Sequence, residues 1–372
     1  MRKDQRIKGD IIWRDKSLRL FFSFPMLSKP LTLSNVVLLR NILIILVFYH
    51  AFAIYSGAWS PIKGFPEIRA YWWLDKLSYA FMLELFVFIS GYVFGYQVRV
   101  KGESKLQAKD LFWGKFKRLM IPSMVFSLLY IFLLGNIEQP IYKTAYDLVN
   151  GVGHMWFLPM LFWCFVGVWI IEKLHLKPKW MIPLLILVSV CSFLPLPLQM
   201  AASMYYILFF YVGYIIQRND ISLDWLYTKR SAIVTTLSFL VLFPLLTLTK
   251  ERIGVIQTEV CDDQLLMKVF LVSIQKAIQL VYSSAGIFMM LSLVGGFLKN
   301  HNIPQWTEQV AALSFGVYLF QQFILMGLYY HTTLPSLIGA NGLPWLGFVS
   351  GLFGSLLMAY WIRKTKIGRL LI

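Results

Sequence analysis

The chain has 372 residues, 58% of them hydrophobic and 14% charged, with a formal net charge of +17. A soluble domain carries about 45–50% apolar and about 25% charged residues, so this composition excludes an ordinary water-soluble fold and points to a polytopic helical membrane protein. The basic residues fall between apolar runs, which argues against a nucleic-acid surface and for topology signals and anchors to anionic lipid.

Residues 1–33 are basic and are not followed by a short apolar core with a small-residue cleavage site. They read as a cytoplasmic or interfacial segment, with Trp13, Leu18, Leu20, Phe21 and Phe22 as apolar anchors among lysine and arginine. About ten spans follow within a single transmembrane domain, 34–363, and a short basic tail, 364–372, closes the chain. The spans run 34–56, 77–97, 118–136, 153–172, 181–197, 201–217, 231–249, 277–298, 311–330 and 344–362, each near the length that crosses a bilayer. The pair 181–197 and 201–217 is short and divided by LPLPLQ. The stretch 263–280 reads either as an interfacial helix or as part of a long tilted span, because Lys268 and Lys276 interrupt it.

With the N-terminus placed inside, the inner segments hold 26 of the 35 Lys and Arg residues. That asymmetry and the even number of spans put both termini in the cytoplasm. The expected fold is therefore all-α, with about ten membrane helices.

Several polar side chains lie within the spans. The first span, LLRNILIILVFYHAF, carries Arg40 near its inner end and His50 ten positions on, about 15 Å higher. On an ideal helix ten positions leave the two side chains about 80° apart, so either Arg40 reaches round or the helix is irregular. Glu84 lies in the second span, about 10 Å from its outer edge, and His154 opens the fourth at the same side. Three titratable groups thus converge on the outer half of the membrane. Glu84 shares a helix face with Phe88, Gly91 and Gly95, and the two glycines form a small-xxx-small pair that favours close helix packing. In the ninth span Ser314, Tyr318 and Gln321 make a polar stripe. Lys115, Lys117 and Arg118 cluster where the third span begins.

Each group has a structural reading beside the chemical one. Arg40 serves equally as an inner-face anchor, His50 as a hydrogen-bonded core residue, and His154 as a wet interfacial one. The stripe on the ninth span serves helix–helix hydrogen bonding, and the basic cluster serves lipid anchoring. Glu84 is hardest to place this way, because a carboxylate in so apolar a segment needs a partner.

Cys164, Cys191 and Cys261 are widely separated and give neither a metal spacing nor a disulfide framework. Phosphate-binding glycine loops, HExxH and GxSxG are absent. A membrane-embedded histidine with a carboxylate and an arginine suits acyl transfer to an alcohol, the imidazole taking the hydroxyl proton. The same set also suits a proton-coupled transporter or flippase, although the halves of the chain show no matching broken helices.

In six places, in order, the chain resembles the integral-membrane acyltransferase 3 family. LLRNILIILVFYHAF resembles its first-helix Arg-then-His motif, and ELFVFISGYVFGY, which contains Ser90, its second-helix signature. FKRLMIPSM is similar to the basic start of the third helix, GHMWFLPMLFW to H-x-W-F-L, FFYVGYII to F-F-x-x-G-Y, and LSFGVYLFQQFIL to S-x-x-I-Y-L-x-H-x-P. The resemblance implies a multi-pass enzyme of the bacterial inner membrane that moves an acyl group, commonly acetyl, from cytosolic acyl-CoA to a hydroxyl of an extracytoplasmic glycan or lipid-linked sugar. It makes His50, as general base or transient acyl carrier, and Arg40 the essential pair; Glu84, read from its place in an apolar span, joins them as a candidate catalytic residue that orients His50 or binds the acceptor. His154, Trp156, Ser90, Tyr318 and Gln321 become candidate substrate contacts, and Lys117 and Arg118 candidate donor contacts. Acyl-CoA enters as co-substrate, with no bound cofactor or metal expected, and membrane lipid is the other expected partner. The chain departs from the family twice: nine residues, not ten, separate Arg40 from His50, and Gln321 stands where many members carry histidine.

Overall fold

Prolines and glycines punctuate a chain whose regular elements are otherwise set by apolar run length. A computed structural model describes residues 33–41, 43–55, 68–134, 140–260, 264–298, 304–366 and 368–371. Residues 1–32 of the basic N-terminal segment, and Cys261, lie outside them. Every regular element among the described residues is helical.

The first expected span is two helices, α1 (Leu33–Arg40) and α2 (Leu43–Phe52), continued by a 3-10 turn at Ala53–Tyr55. Then come α3 (Arg69–Tyr79) and α4 (Met82–Lys101), bent against each other at Ala80 and Phe81. The third span is α5 (Ala108–Lys115) and α6 (Ile121–Leu134), joined through a π-helical turn at Phe116–Met120. Helix α7 (Ile141–Asn150) begins behind Pro140, and α8 (Phe157–Lys173) follows a 3-10 turn at Gly153–Trp156. The chain continues through α9 (Pro178–Val190), α10 (Met200–Arg218), α11 (Lys229–Val260) and α12 (Leu265–Leu293). It ends with α13 (Gln305–Tyr330), α14 (Leu334–Lys364) and the short α15 (Gly368–Leu371). Proline at the start of α9 and just before α7 and α13 sits where a missing N–H costs nothing.

Eight helical stretches are long and apolar enough to cross a membrane, and Pro178–Val190 is a shorter apolar helix. With the α1–α2 pair they occupy the positions of the ten expected spans, and the chain is a multi-pass membrane protein. One boundary moves. The stretch that divided between interfacial helix and tilted span is continuous with the eighth span, in a candidate span Leu265–Leu298 of 34 residues. Lys268 is exposed, and Lys276 does not break the helix because its ammonium turns to the Tyr205 ring, 5.2 Å from its centre, at the wall of a polar cavity.

The core lies where α4, α8 and α10 meet. Helices α4 and α10 touch backbone to backbone. A Cβ on Gly91 would lie 2.0 Å from the Phe210 carbonyl oxygen, one on Gly95 2.3 Å from that of Tyr214, and one on Gly213 2.2 Å from that of Phe88. In a membrane, where lipid competes for every apolar contact, such close approach is what holds two helices together. Around the seam Phe94, Phe165, Phe210 and Tyr214 pack edge-to-face or tilted, with the centroids of neighbouring rings 4.7–5.5 Å apart. Helices α11 and α14 turn large side chains such as Val241, Leu245, Phe353 and Trp361 outward, as lipid-facing helices do. The other extensive pairings are α13 with α14 and α11 with α12.

Candidate active site

The first helix is interrupted between its two ionisable groups. Helix α1 ends at Arg40, the Asn41 carbonyl accepts from the Ile44 amide at 3.1 Å, and α2 restarts at Leu43. The ten-position spacing therefore acts across a break rather than along one helix. Arg40 and His50 line different cavities.

His50 is buried at the end of α2, and its Nδ1 lies 3.0 Å from the Gln321 side-chain amide on α13. An amide serves either tautomer by exchanging its ends. With NH2 toward Nδ1 the ring proton sits on Nε2; with the oxygen toward Nδ1 it sits on Nδ1, and Nε2 is basic. A general base acting through Nε2 requires the second orientation.

His154 stands beside it, ring centroids 6.3 Å apart. Its position is set by Gly151 and Gly153, whose φ of +84° and +56° let the chain turn sharply from α7 into the 3-10 turn. Helix α13 then pins it from three sides. Gln322 Oε1 accepts from the His154 amide at 3.1 Å, the Tyr318 hydroxyl donates to the His154 carbonyl, and His154 Nε2 lies 3.2 Å from the Leu319 carbonyl. A carbonyl only accepts, so Nε2 carries the proton and the lone pair is on Nδ1. That Nδ1 is buried with no hydrogen-bond partner among the described residues.

Three cavities run in series through this point. The first, about 230 Å³, is mainly apolar, with Arg40, Lys115, Arg118, Ser90, Gln97 and Ser314 as its polar lining. The second, about 80 Å³, contains His50 and His154. It shares Leu46, Leu83, Phe157 and Tyr318 with the first. The third, about 440 Å³, is rich in tyrosine and lysine and shares Tyr49, Tyr79 and Trp156 with the histidine cavity. The imidazoles thus sit at a constriction with a cation-lined chamber on one side and a polar aromatic chamber on the other.

The remaining predicted residues distribute as follows. Ser90 and Arg118 line the first chamber, Tyr318 lines it and the histidine cavity, and Trp156 lines the histidine cavity and the third chamber. Glu84 is buried, but its Oε1 accepts from Tyr205 and Ser283, both at 3.1 Å, and from Gln279 at 3.5 Å. That bracket lies behind the third chamber, where Tyr205 and Gln279 form part of the wall. Lys117 turns outward, its ammonium 4.8 Å from the centre of the Trp113 ring. Lys115 takes the inward place, 3.6 Å from the centre of the Phe165 ring. The local geometry decides between them: Lys115 ends α5 and faces the chamber, whereas Lys117 lies in the π-helical turn with its side chain exposed. Tyr49, Tyr79 and Gln322 also belong to the site. They escape sequence reasoning because, unlike Ser314, Tyr318 and Gln321, they form no stripe of polar residues at helical spacing that would mark the buried side of an apolar run.

A buried histidine pair, bracketed by one helix and flanked by two chambers in an all-helical bundle, defines a multi-pass membrane protein with a polar centre inside it. The sequence profile of the acyltransferase 3 family, described as an acyltransferase domain, matches residues 34–364. The chain belongs to this family of membrane acyltransferases. Neither a curated protein nor a solved structure matches it.

Proposed function

We propose that the protein transfers an acyl group, acetyl in the simplest case, from acyl-CoA to a hydroxyl of a glycan or lipid-linked sugar across the bacterial inner membrane. The single observation that supports this reading is the serial arrangement of the cavities, with His50 and His154 between a cationic chamber and a polar one.

In this reading the positive-inside asymmetry makes the cationic chamber cytoplasmic. Arg40, Lys115 and Arg118 there bind donor phosphates, and the apolar wall takes the pantetheine arm. The acceptor enters from the third chamber. His50 Nε2 takes the hydroxyl proton as the oxygen attacks the thioester carbon. The tetrahedral intermediate then collapses with cleavage of the C–S bond, and the thiolate leaves with the proton that His50 returns. His154, its tautomer fixed by Leu319, offers its Nδ1 lone pair to a second hydroxyl of the acceptor and so orients the attacking one. Proton transfer of this kind contributes about 10²–10⁴-fold.

Purified protein in nanodiscs, given labelled acetyl-CoA and a saccharide acceptor, is expected to release CoA and label the saccharide. His50→Ala lowers the rate by about 10²-fold or more while the protein still inserts and accumulates. Retained transfer in that variant would refute the assignment.

A further inference from the structure

The tyrosine-lined chamber carries a charge pattern that generic acyl transfer does not require. Two of its lysines come from facing helices, Lys250 from α11 and Lys276 from α12. The helices are in register there, since the Gln275 side chain donates to the Lys250 carbonyl at 3.4 Å. Lys250 Nζ lies 3.0 Å from Gln279 Oε1 and 3.4 Å from the Tyr282 hydroxyl, and Lys276 Nζ lies 5.2 Å from the centre of the Tyr205 ring. These partners are neutral. The third lysine, Lys76, is paired with Glu251 at 3.3 Å. Glu84, the nearby buried carboxylate, is committed to Tyr205, Ser283 and Gln279.

Position makes the pattern more pointed. Lys250 lies 21 residues beyond Lys229, about 31 Å along α11, which is the thickness of the hydrocarbon core. On the orientation proposed above, this is the outer face, which is nearly stripped of cations. Only eight Lys and Arg residues are left for that side: Lys63, Arg69, Lys76, Lys143, Lys250, Arg252, Lys268 and Lys276. Three of the eight line one chamber. A lysine that only anchors lipid sits on the lipid face; Lys250 and Lys276 are half-buried and line the chamber that adjoins the histidine cavity.

The geometry points to an acidic saccharide as the acceptor, with Lys250 and Lys276 binding its carboxylate or phosphate while a neighbouring hydroxyl reaches the His50–His154 constriction. The chamber volume of about 440 Å³ falls in the range of ordinary ligand sites. Its aromatic lining (Tyr49, Tyr79, Trp156 and Tyr206) gives flat faces for sugar C–H bonds. Asp75, buried in the same wall, accepts from sugar hydroxyls, so the acid and the ring are read by different groups. This deepens the acyl-transfer reading and rests on it, in that the bound sugar is the one acylated.

The test separates binding from transfer. Full-length protein in neutral detergent is titrated with a glucuronate-containing tetrasaccharide, with its neutral methyl ester, and with a phosphodiester-bearing tetrasaccharide, and tryptophan fluorescence reports binding. At least one acidic form is expected to bind tenfold or more tighter than the ester, with affinity that falls as salt rises. Which acid prevails tells carboxylate from phosphate. The double variant Lys250→Gln, Lys276→Gln is expected to bind acid and ester alike, while Lys250→Arg, Lys276→Arg keeps the preference and controls for folding. Equal binding of all three saccharides, or an unchanged preference in the glutamine variant, assigns the lysines to lipid phosphate and overturns the proposal. Acid-selective binding without acyl transfer would leave this site standing and sink the acyl-transfer reading instead.

Discussion

At the scale of single residues, Gln321 governs what His50 can do. It meets Nδ1 at 3.0 Å in a buried position, and its own Oε1 is buried without a partner. The amide NH2 faces Nδ1; with the ends of the amide exchanged the oxygen faces Nδ1 and Nε2 is left basic, so the orientation of the amide decides which ring nitrogen is reactive. Gln321→Leu keeps the shape and removes the selection. One hydrogen bond of about 1 kcal/mol corresponds to a rate loss of roughly five- to tenfold, which should fall on kcat rather than on KM for either substrate. Gln321→His, which restores the family's usual residue, should keep most of the activity because imidazole also accepts. A KM effect with unchanged kcat in Gln321→Leu would make Gln321 a binding residue and not a positioning one. The same reasoning explains why the residue was hard to read from sequence. Glutamine replaces a histidine without announcing that it does the same job through one orientation of an amide.

At the scale of elements, helix continuity decides which predicted groups meet. The ten-position Arg40–His50 spacing posed a choice between a long reach and an irregular helix, and the break at Asn41 answers it. Span positions were legible because runs of apolar residues near bilayer length have no other stable place. Breaks and wide turns were not legible, since Asn41 and the π-turn at Phe116–Met120 carry no signal beyond weak local propensity. The basic cluster at the third span shows the consequence. Sequence put Lys117 with Arg118, and the local geometry puts Lys115 there instead. Lys115→Met should therefore raise KM for acetyl-CoA about tenfold, the equivalent of losing one charge-assisted contact of about 1.5 kcal/mol, with kcat little changed. Lys117→Met should leave both within twofold. Steady-state kinetics at saturating acceptor checks this, and the reverse ranking would return Lys117 to the donor chamber.

At the scale of the whole molecule, the fold solves an access problem. On the proposed function, a donor and an acceptor that never share a compartment must reach one pair of imidazoles without opening a continuous water path. The small histidine cavity between two larger chambers does this, because its lining of Leu46, Leu83, Phe157 and Tyr318 closes one side and Tyr49, Tyr79 and Trp156 the other. Two-sided access then makes a prediction about reagents rather than rates. With Cys164, Cys191 and Cys261 replaced, Gln97→Cys lies in the cationic chamber and Ala202→Cys in the tyrosine-lined one. A charged, membrane-impermeant maleimide added to right-side-out vesicles should modify Ala202→Cys and spare Gln97→Cys. Inside-out vesicles should reverse the result, and acetyl-CoA should slow the labelling of Gln97→Cys alone. Labelling of both positions from one side would mean a single open vestibule. The histidines would then be a surface site at its base, and the donor and acceptor would have to arrive by the same route.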